Sequence, residues 1–447
     1  MGERGTGLVR AGAAVLAAAL ACASPDAAPA QSMLTPATGS CAEPLRAERM
    51  AIFDFVWKQV RDLYYDASLN GVDWSAVGAE YRPRICAVSS EAEFHKLLRA
   101  MVAELRDAHT RVLTPDQAKD RRATTSTTAG AVLFEVEGRP VLFDVIEGSP
   151  AAEAGLRRGM RVLEVNGAPV AEALRRSRQE VGRSSSDRAE LLLAYRNLVS
   201  GRAGEPLRLR VSGADGVPRD VELSRRALPA APRFEARLLA SGHLYVRFSH
   251  FRRPVARRFA AALAEHPNAR GVVLDLRSNP GGDGKEGARL IAPLLDRPTL
   301  VARLATRTGK PPSALLGLVK LPLRLTAGRE GRQLFSGPVA ILVNEGTAST
   351  SEVIAASLQE RGRAKIVGTR SCGCALGVLR YRPLKNGGAL AISEVGLLSG
   401  LGRRIEGEGV APDVAVQPRL ADFSEGRDRG VEEAVELLDR PAARPGS

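Results

Sequence analysis

Two short loops carry the residue types that acyl-transfer chemistry requires. Residues 275–283 read DLRSNPGGD, and residues 343–352 read VNEGTASTSE. A serine in such a turn can be a nucleophile, and backbone N–H groups in a glycine-rich turn or at a helix start can stabilise an oxyanion. A single serine can equally cap the helix that follows, and Ser351, which stands beside Glu352, is predicted to do so.

Buried strands and helices must position these loops. Both loops follow near-continuous apolar runs, at 271–276 and 338–343, which are typical of strands inside a parallel sheet. Amphipathic helices are predicted at 254–265 and 351–361. Strands and helices alternate until about residue 420, which predicts an α/β domain.

The region upstream is predicted to form a small helical domain. Apolar residues recur at helical spacing in three segments: 43–66, 74–81 and 90–105. A polar stretch rich in serine and threonine, residues 117–128, then indicates a linker.

A β-rich segment follows this stretch. Residues 148–156 read GSPAAEAGL, and residues 159–167 read GMRVLEVNG. This stretch resembles a PDZ domain of the protease-associated type. The resemblance implies that a peptide C-terminus adds to a sheet edge, where backbone N–H groups hold its carboxylate; the alternative is a domain that only gates an active site. The implied peptide-binding residues are Gly130, Ala131 and Val132.

Two further motifs follow the two loops in order. Residues 362–373 read GRAKIVGTRSCG, and residues 406–413 read EGEGVAPD. The four motifs together resemble those of the C-terminal processing (tail-specific) serine peptidase family and its tricorn-like relatives. That family joins a helical segment, a PDZ domain and a crotonase-like or ClpP-like α/β catalytic domain. The resemblance therefore implies an α/β multidomain fold.

The resemblance also implies a role for each loop. Ser349 would be the nucleophile of a serine endopeptidase that forms an acyl-enzyme. The oxyanion hole would combine the N–H of Thr350 with that of Gly281 or Gly282. No metal or organic cofactor is implied.

One departure from the family concerns the general base. The lysine branch uses a Ser–Lys dyad, with the lysine in a GKG segment and a glutamine four residues later. Here Cys374 and Val378 stand at those places, and neither side chain can deprotonate a serine as a desolvated amine can. Lys285, after the glycine loop, is one alternative base. Cys374 itself is an alternative nucleophile, although nothing near it in the sequence lowers the pKa of its thiol.

A histidine stands where it could replace the lysine. Residues 107–110 read DAHT, where the lysine branch reads DPYT or DPFT. His109 resembles the histidine of the tricorn-like branch, which works with a serine and a glutamate, and that glutamate resembles Glu406. We therefore expect His109 to take the proton of Ser349 and Glu406 to hold the imidazole tautomer. A surface or capping role is the alternative for His109, and Glu408 is the alternative acid.

The N-terminus has the pattern of a signal peptide. Two arginines precede an apolar run at 11–21, and residues 28–30 (APA) fit a small-x-small cleavage site. The alternative is a lipoprotein-like box in which Cys22 carries the lipid. We therefore expect an exported protein, periplasmic or extracellular, that is either released or lipid-anchored.

The remaining cysteines and the charge add two expectations. Cys41 and Cys86 flank a helical region and could be bridged in an oxidising compartment. The spacing of Cys372 and Cys374 is expected to suit neither an unstrained disulfide nor a zinc site. The net charge of +14 is spread along the chain without a dense basic tract, so nucleic acid is not an expected partner.

These observations predict an exported serine endopeptidase with a Ser–His–Glu site. It would cleave proteins or peptides with a free C-terminus near that end, and it would contact a membrane only if Cys22 is lipidated. The alternative is a catalytically inactive homologue that binds peptides or hydrophobic ligands. The predicted segments are a signal peptide (1–30), a helical domain (41–116), a PDZ-like domain (127–226), an α/β catalytic domain (232–420) and a C-terminal helix and tail (421–447).

Overall fold

A computed structural model describes most of the chain beyond the predicted signal peptide. The described residues are 43–122, 125–229, 231–314, 319–320 and 322–440. The predictions for residues 1–30, for Cys22 and for the Cys41–Cys86 bridge fall outside them. No helix in the described ranges combines the length and the apolar character needed to cross a bilayer.

Three helices form the N-terminal region, as the apolar spacing predicts. They are α1 (Glu43–Leu63), α2 (Trp74–Tyr81) and α3 (Glu91–Ala103). The side chains of Asp73 and Ser90 accept backbone N–H groups in the first turns of α2 and α3 and fix where these helices begin. Their apolar faces pack into one buried cluster.

The predicted linker at 117–128 is largely helix and strand. Helix α4 spans Pro115–Arg122, and strand β2 (Thr125–Thr128) pairs antiparallel with β9 (Arg226–Pro229). The linker prediction was wrong because β2 belongs to a two-stranded ribbon that is only partly buried. Such a strand needs no apolar alternation to form.

A six-stranded sheet with three helices lies between β2 and β9. Its strands are β3 (Ala131–Val136), β4 (Arg139–Val145), β5 (Arg161–Val165), β6 (Ala168–Pro169), β7 (Pro206–Ser212) and β8 (Pro218–Ser224). Its helices are α5 (Pro150–Glu153), α6 (Val170–Val181) and α7 (Asp187–Val199). The strand order is β3-β4-β5-β7-β8, with β6 beside β5. Strand β3 is therefore an edge strand, and it lies next to α7.

The C-terminal half contains a mostly parallel sheet. Its strands are β10 (Phe234–Leu238), β11 (Leu244–Phe248), β12 (Val272–Asp275), β17 (Val339–Val343), β18 (Lys365–Gly368) and β21 (Val414–Ala415). The strands lie side by side in that order, and β10 is antiparallel to β11 while the others run parallel.

Helices cover both faces of this sheet, so the strands at its centre are apolar throughout. One face packs against α8 (Val255–Glu265), α9 (Gly284–Ile291) and α10 (Thr350–Glu360). The other packs against α12 (Arg429–Asp439), which follows the short α11 (Leu420–Ser424). The apolar runs that predicted an α/β domain are thus explained by burial on two sides.

A second, antiparallel sheet did not form part of the prediction. Its strands are β1 (Arg111–Leu113), β13 (Thr299–Ala305), β16 (Arg324–Ala327), β19 (Leu376–Pro383) and β20 (Ala389–Ser399). A short hairpin, β14 (Ser313–Ala314) with β15 (Val319–Lys320), lies between β13 and β16 in the chain. Strand β1 pairs with β20, which anchors the segment just after His109 to the C-terminal half of the protein.

Candidate active site

The turn between β17 and α10 presents Ser349. This residue is the N-cap of α10 and has φ 55° and ψ −122°, a conformation that residues other than glycine rarely adopt. Its neighbours Ala348 and Thr350 are buried, whereas Ser349 is half-buried. A strained turn between a strand and a helix is a known way to expose a serine hydroxyl as a nucleophile.

Ser351 does not cap the helix as predicted. Its hydroxyl donates to the carbonyl oxygen of Asn279 at 3.0 Å, and the cap position belongs to Ser349. The prediction was wrong because the relevant spacing is that of Ser349 and Glu352, an S-x-x-E pattern. In this pattern the Ser349 N–H donates to Oε2 of Glu352 at 3.0 Å.

The glycine loop touches this turn. Gly281 has φ +92°, and a Cβ added there would lie 2.8 Å from the Cβ of Ser349 and 2.8 Å from the carbonyl oxygen of Ala348. The Thr350 hydroxyl donates to the carbonyl oxygen of Gly282 at 2.8 Å. The structure therefore brings together the nucleophile candidate and all three residues predicted for the oxyanion hole.

The backbone donors of this group differ in availability. The Gly281 N–H already donates to Oδ1 of Asn279 at 3.0 Å. The Thr350 N–H is at the first position of α10, where an N–H has no partner within the helix. Gly282 is exposed. Of the N–H groups predicted for the oxyanion hole, that of Gly281 is thus already engaged by a side chain.

Glu352 is a site residue that the sequence interpretation did not single out. Its carboxyl accepts the Ser371 hydroxyl at 2.6 Å and the N–H groups of Gly373 at 2.7 Å and Cys374 at 3.0 Å, besides that of Ser349. Burial raises the pKa of Glu352 to about 7, although these hydrogen bonds favour the ionised form. Glu352 thus fixes the turn of Ser349 against the segment 371–374.

Cys372 and Cys374 form a disulfide in the structure, although their spacing was not expected to suit an unstrained one. The backbone of 372–374 curves with φ +75° at Gly373 and brings the two Cα atoms to 5.2 Å, within the range that a disulfide spans. Both cysteines are buried. Cys374 acts on the turn through its backbone, because its carbonyl oxygen accepts the Ser349 N–H at 2.9 Å.

His109 lies in the segment between α3 and β1. Ala108 packs against a buried cluster that includes Ala348 and both paired cysteines, so this segment lies near the turn of Ser349. The Nδ1 atom of His109 is buried and has no hydrogen-bond partner among the described residues. Burial lowers the pKa of His109, Asp107 opposes this shift and Arg111 adds to it.

The structure does not bring the predicted triad into hydrogen-bonding contact. Within the described chain, neither ring nitrogen of His109 is hydrogen-bonded to Ser349 or to Glu406. Oε2 of Glu406 instead accepts the Ala375 N–H at 2.6 Å. Burial, together with the charge of Asp107, raises the pKa of Glu406 to about 8. Glu408, the alternative acid, and Lys285, the alternative base, are both exposed.

A cleft of about 1180 Å³ leads towards the glycine loop beside Ser349. Ala131 and Val132 of the β3 edge line it on one side, and Leu192 of α7 lies beside them. Ser278 and Pro280 of the glycine loop line its other end. The cleft therefore runs from the sheet edge predicted to bind peptide to the loop that touches Ser349.

Of the three predicted peptide-binding residues, Gly130 differs from the other two. Its N–H donates to the Thr128 hydroxyl at 2.9 Å, and a Cβ added to it would collide with Ser149. It therefore shapes the end of β3.

As for metals, the described residues contain no group of three or more His, Cys, Asp or Glu side chains arranged to hold an ion.

Comparisons with known proteins agree with this architecture. The chain matches peptidase family S41 over residues 242–416, the tricorn protease C1 domain over 45–103 and a PDZ domain over 144–185. It is 26% identical to a chloroplastic carboxyl-terminal-processing peptidase 3 of Arabidopsis thaliana, over 94% of this chain and 79% of that one. A carboxyl-terminal-processing protease of Synechocystis is 27% identical, over 83% and 81%.

A solved structure shows the same arrangement. The photosystem II D1 C-terminal processing protease is 25% identical, with a TM-score of 0.56, over 88% of this chain and 98% of that chain. The predicted order of a helical region, a PDZ-like domain and an α/β catalytic domain is confirmed.

Proposed function

Because residues 242–416 match peptidase family S41 and the chain is similar to carboxyl-terminal-processing proteases, we propose that it is a serine endopeptidase that acts through an acyl-enzyme. It cleaves proteins or peptides near their C-terminal end. The observation that carries this proposal is the strained N-cap position of Ser349 against Gly281.

The proposed mechanism starts at Ser349. Its Oγ attacks the scissile carbonyl carbon, and the N–H groups of Thr350 and Gly282 stabilise the oxyanion that forms. His109 takes the serine proton and delivers it to the leaving amine, and a water molecule then hydrolyses the acyl-enzyme. The lowered pKa of His109 keeps its imidazole neutral near pH 7, as a base must be. Its ring approaches Ser349 when substrate fills the site, because catalytic hydrogen bonds often tighten only in the complex.

We propose that substrate enters along the cleft. An extended C-terminal segment pairs with the backbone of β3, because an edge strand leaves one row of N–H and C=O groups without strand partners. The distance along the cleft to Ser278 and Pro280 then sets where the substrate chain is cut.

The pattern of residues 1–30 supports action outside the cytoplasm, which N-terminal sequencing of the exported protein would test.

Reaction with a fluorophosphonate probe tests the nucleophile. We expect the mature protein to be labelled, Ser349→Ala to abolish labelling and His109→Ala to slow it by at least about 100-fold. His266→Ala, at the end of α8, is the matched histidine control and should react as wild type does. Cys374→Ala should still be labelled, because its backbone carbonyl remains. Labelling that survives Ser349→Ala would refute the assignment.

The second candidate is an inactive homologue that binds peptides. The replacement of the family lysine and glutamine by Cys374 and Val378 favours it. In that case wild type does not react with the probe, yet peptides with a free C-terminus bind in the cleft. Calorimetry with such a peptide and its C-terminal amide would show this binding, and Ser349→Ala would leave it unchanged.

A further inference from the structure

The carboxyl of Asp107 is a buried group that the proposed mechanism does not use. Asp107 is only 6% exposed. Its Oδ1 accepts the backbone N–H of His109 at 2.7 Å, and its Oδ2 accepts the N–H of Thr110 at 3.2 Å and also the Thr110 hydroxyl. The carboxyl accepts three hydrogen bonds and donates none, as an ionised carboxylate does. A buried anion therefore lies against the backbone of the proposed base.

The same turn is tied to the rest of the protein. The Thr110 hydroxyl also accepts the N–H of Ser393, in β20, at 3.0 Å. The N–H of Ala108 donates to the hydroxyl of Ser185, in the loop between α6 and α7, at 3.0 Å. The Nδ1 atom of the His109 ring has no hydrogen-bond partner in the part of the chain that the structure describes, so the position of the ring depends on that of its backbone.

The charge of Asp107 also acts on the imidazole. Burial lowers the pKa of His109, Asp107 opposes this shift and Arg111 adds to it. An opposite charge within about 4–6 Å favours the charged form of a titratable group. When His109 takes the proton of Ser349, its ring becomes a cation. A carboxylate beside the ring stabilises that cation until the proton passes to the leaving amine.

Glu406 is less suited to this part. Burial, together with the charge of Asp107, raises the pKa of Glu406 to about 8, so this carboxyl holds a proton near pH 7 and carries little charge. Two carboxyls in different environments can hold different charges at one pH and so serve different roles. Here Asp107 holds the charge and Glu406 holds the proton.

We propose that Asp107 is a positioning residue, which fixes the turn of His109 and supplies the negative charge that the imidazolium needs. The sequence assigns this part to Glu406. The inference rests on the proposed function. Asp107 acts through His109 and does not itself take the serine proton.

The pH profile separates this role from a merely structural one. Asp107→Asn keeps an acceptor for the N–H of His109 and removes the charge. Without that charge the pKa of His109 falls further, so the pH of half-maximal fluorophosphonate labelling should move below its wild-type value. The maximal rate should fall at least about 10-fold. Glu406→Gln, whatever its rate, should keep the wild-type midpoint, because it removes a carboxyl that is already neutral at that pH.

The other titratable groups near this turn are unchanged in an Asp107 variant. Besides Glu406, they are Arg111, Tyr64 and Tyr65. A change of midpoint in Asp107→Asn therefore reports the lost carboxylate.

Asp66 offers a matched control. Its carboxyl also accepts two backbone N–H groups and one hydroxyl, those of Ser68 at 3.0 and 2.6 Å and that of Asn70 at 2.9 Å. Asp66 does not figure among the charges that shift the pKa of His109. In the full mature protein, Asp66→Asn should match wild type in labelling rate and midpoint from about pH 4 to about pH 9. Urea unfolding of each variant reports whether the fold is kept.

Four outcomes would overturn the proposal in distinguishable ways. If Asp107→Asn keeps the wild-type midpoint while Ser349→Ala does not react, Asp107 supplies no charge to His109 and the proposed function stands. If Glu406→Gln lowers the midpoint, Glu406 carries the charge, and this arm decides the question even where Asp107→Asn does not fold. If Asp66→Asn shifts the midpoint as far as Asp107→Asn does, the effect does not come from a charge beside His109. If wild type does not react at all, the proposed function fails and this inference fails with it.

Discussion

The N–H of Ser349 donates both to the carbonyl oxygen of Cys374, at 2.9 Å, and to Oε2 of Glu352, at 3.0 Å. The turn that bears Ser349 is thus held from two sides, by the segment that precedes β19 and by the first turn of α10. Cys374 thus acts on this turn through its backbone carbonyl, and its side chain is held in the disulfide with Cys372.

Glu352 should be essential to the stability of the site. Glu352→Ala leaves the Ser371 hydroxyl and the N–H groups of Gly373 and Cys374 without their acceptor. Because each buried donor without a partner costs about 1–3 kcal/mol, the free energy of unfolding should fall by at least about 3 kcal/mol. Urea denaturation measures this loss. Glu408→Ala, which removes an exposed carboxyl, is the matched control, and an equal loss in both variants would contradict the prediction.

The sequence predicts the strands and loops that carry the site better than it predicts the contacts between residues far apart in the chain. The runs at 271–276 and 338–343 predict β12 and β17 because strands covered on both faces must be apolar throughout. The spacing of the four motifs identifies the loops of Ser349 and Gly281. The sequence does not single out Ser185, since this residue lies in a polar loop and hydrogen-bonds to Ala108, far away along the chain. Contacts of this kind leave no local periodicity.

The strands of the second sheet were missed for a related reason. Strand β19 has the sequence LGVLRYRP and alternates between buried and exposed positions only in part, because its partner β20 pairs with it through two irregular steps. Pairing irregularities displace side chains from the regular two-residue alternation. This sheet matters to the site, since β20 anchors the segment after His109.

Gly281 should tolerate no side chain. A Cβ there would stand 2.8 Å from the carbonyl oxygen of Ala348 and 2.8 Å from the Thr350 nitrogen, and its φ of +92° adds strain. We expect Gly281→Ala to reduce fluorophosphonate labelling by on the order of 100-fold, because the nucleophile turn must shift. Gly284→Ala is the control, since its Cβ would meet nothing closer than 3.6 Å. Normal labelling of Gly281→Ala would show that the loop does not abut the turn.

Glu406 should make stability depend on pH. Its pKa is about 8 in the folded protein and about 4.3 in an unfolded chain, so the folded state binds more protons between these values. The free energy of unfolding should therefore fall as pH rises from about 5 to 8, with a limiting slope of about 1.4 kcal/mol per pH unit. Glu406→Gln keeps an acceptor for the Ala375 N–H and removes the ionisation. Urea unfolding at several pH values should show a flatter profile for this variant, and identical slopes would refute the shifted pKa.

His109 should set the acidic limit of activity. A general base acts only when neutral, and burial lowers the pKa of His109 from its ordinary value near 6.5. The labelling rate should therefore remain high at pH 6.5 and fall to half its maximum at a lower pH. Arg111 contributes to the lowered pKa of His109, so Arg111→Gln should move the midpoint upward. His266→Ala should leave the midpoint in place. If the pH of half-maximal labelling lies above 6.5 in wild type, or does not change in Arg111→Gln, another group takes the proton of Ser349.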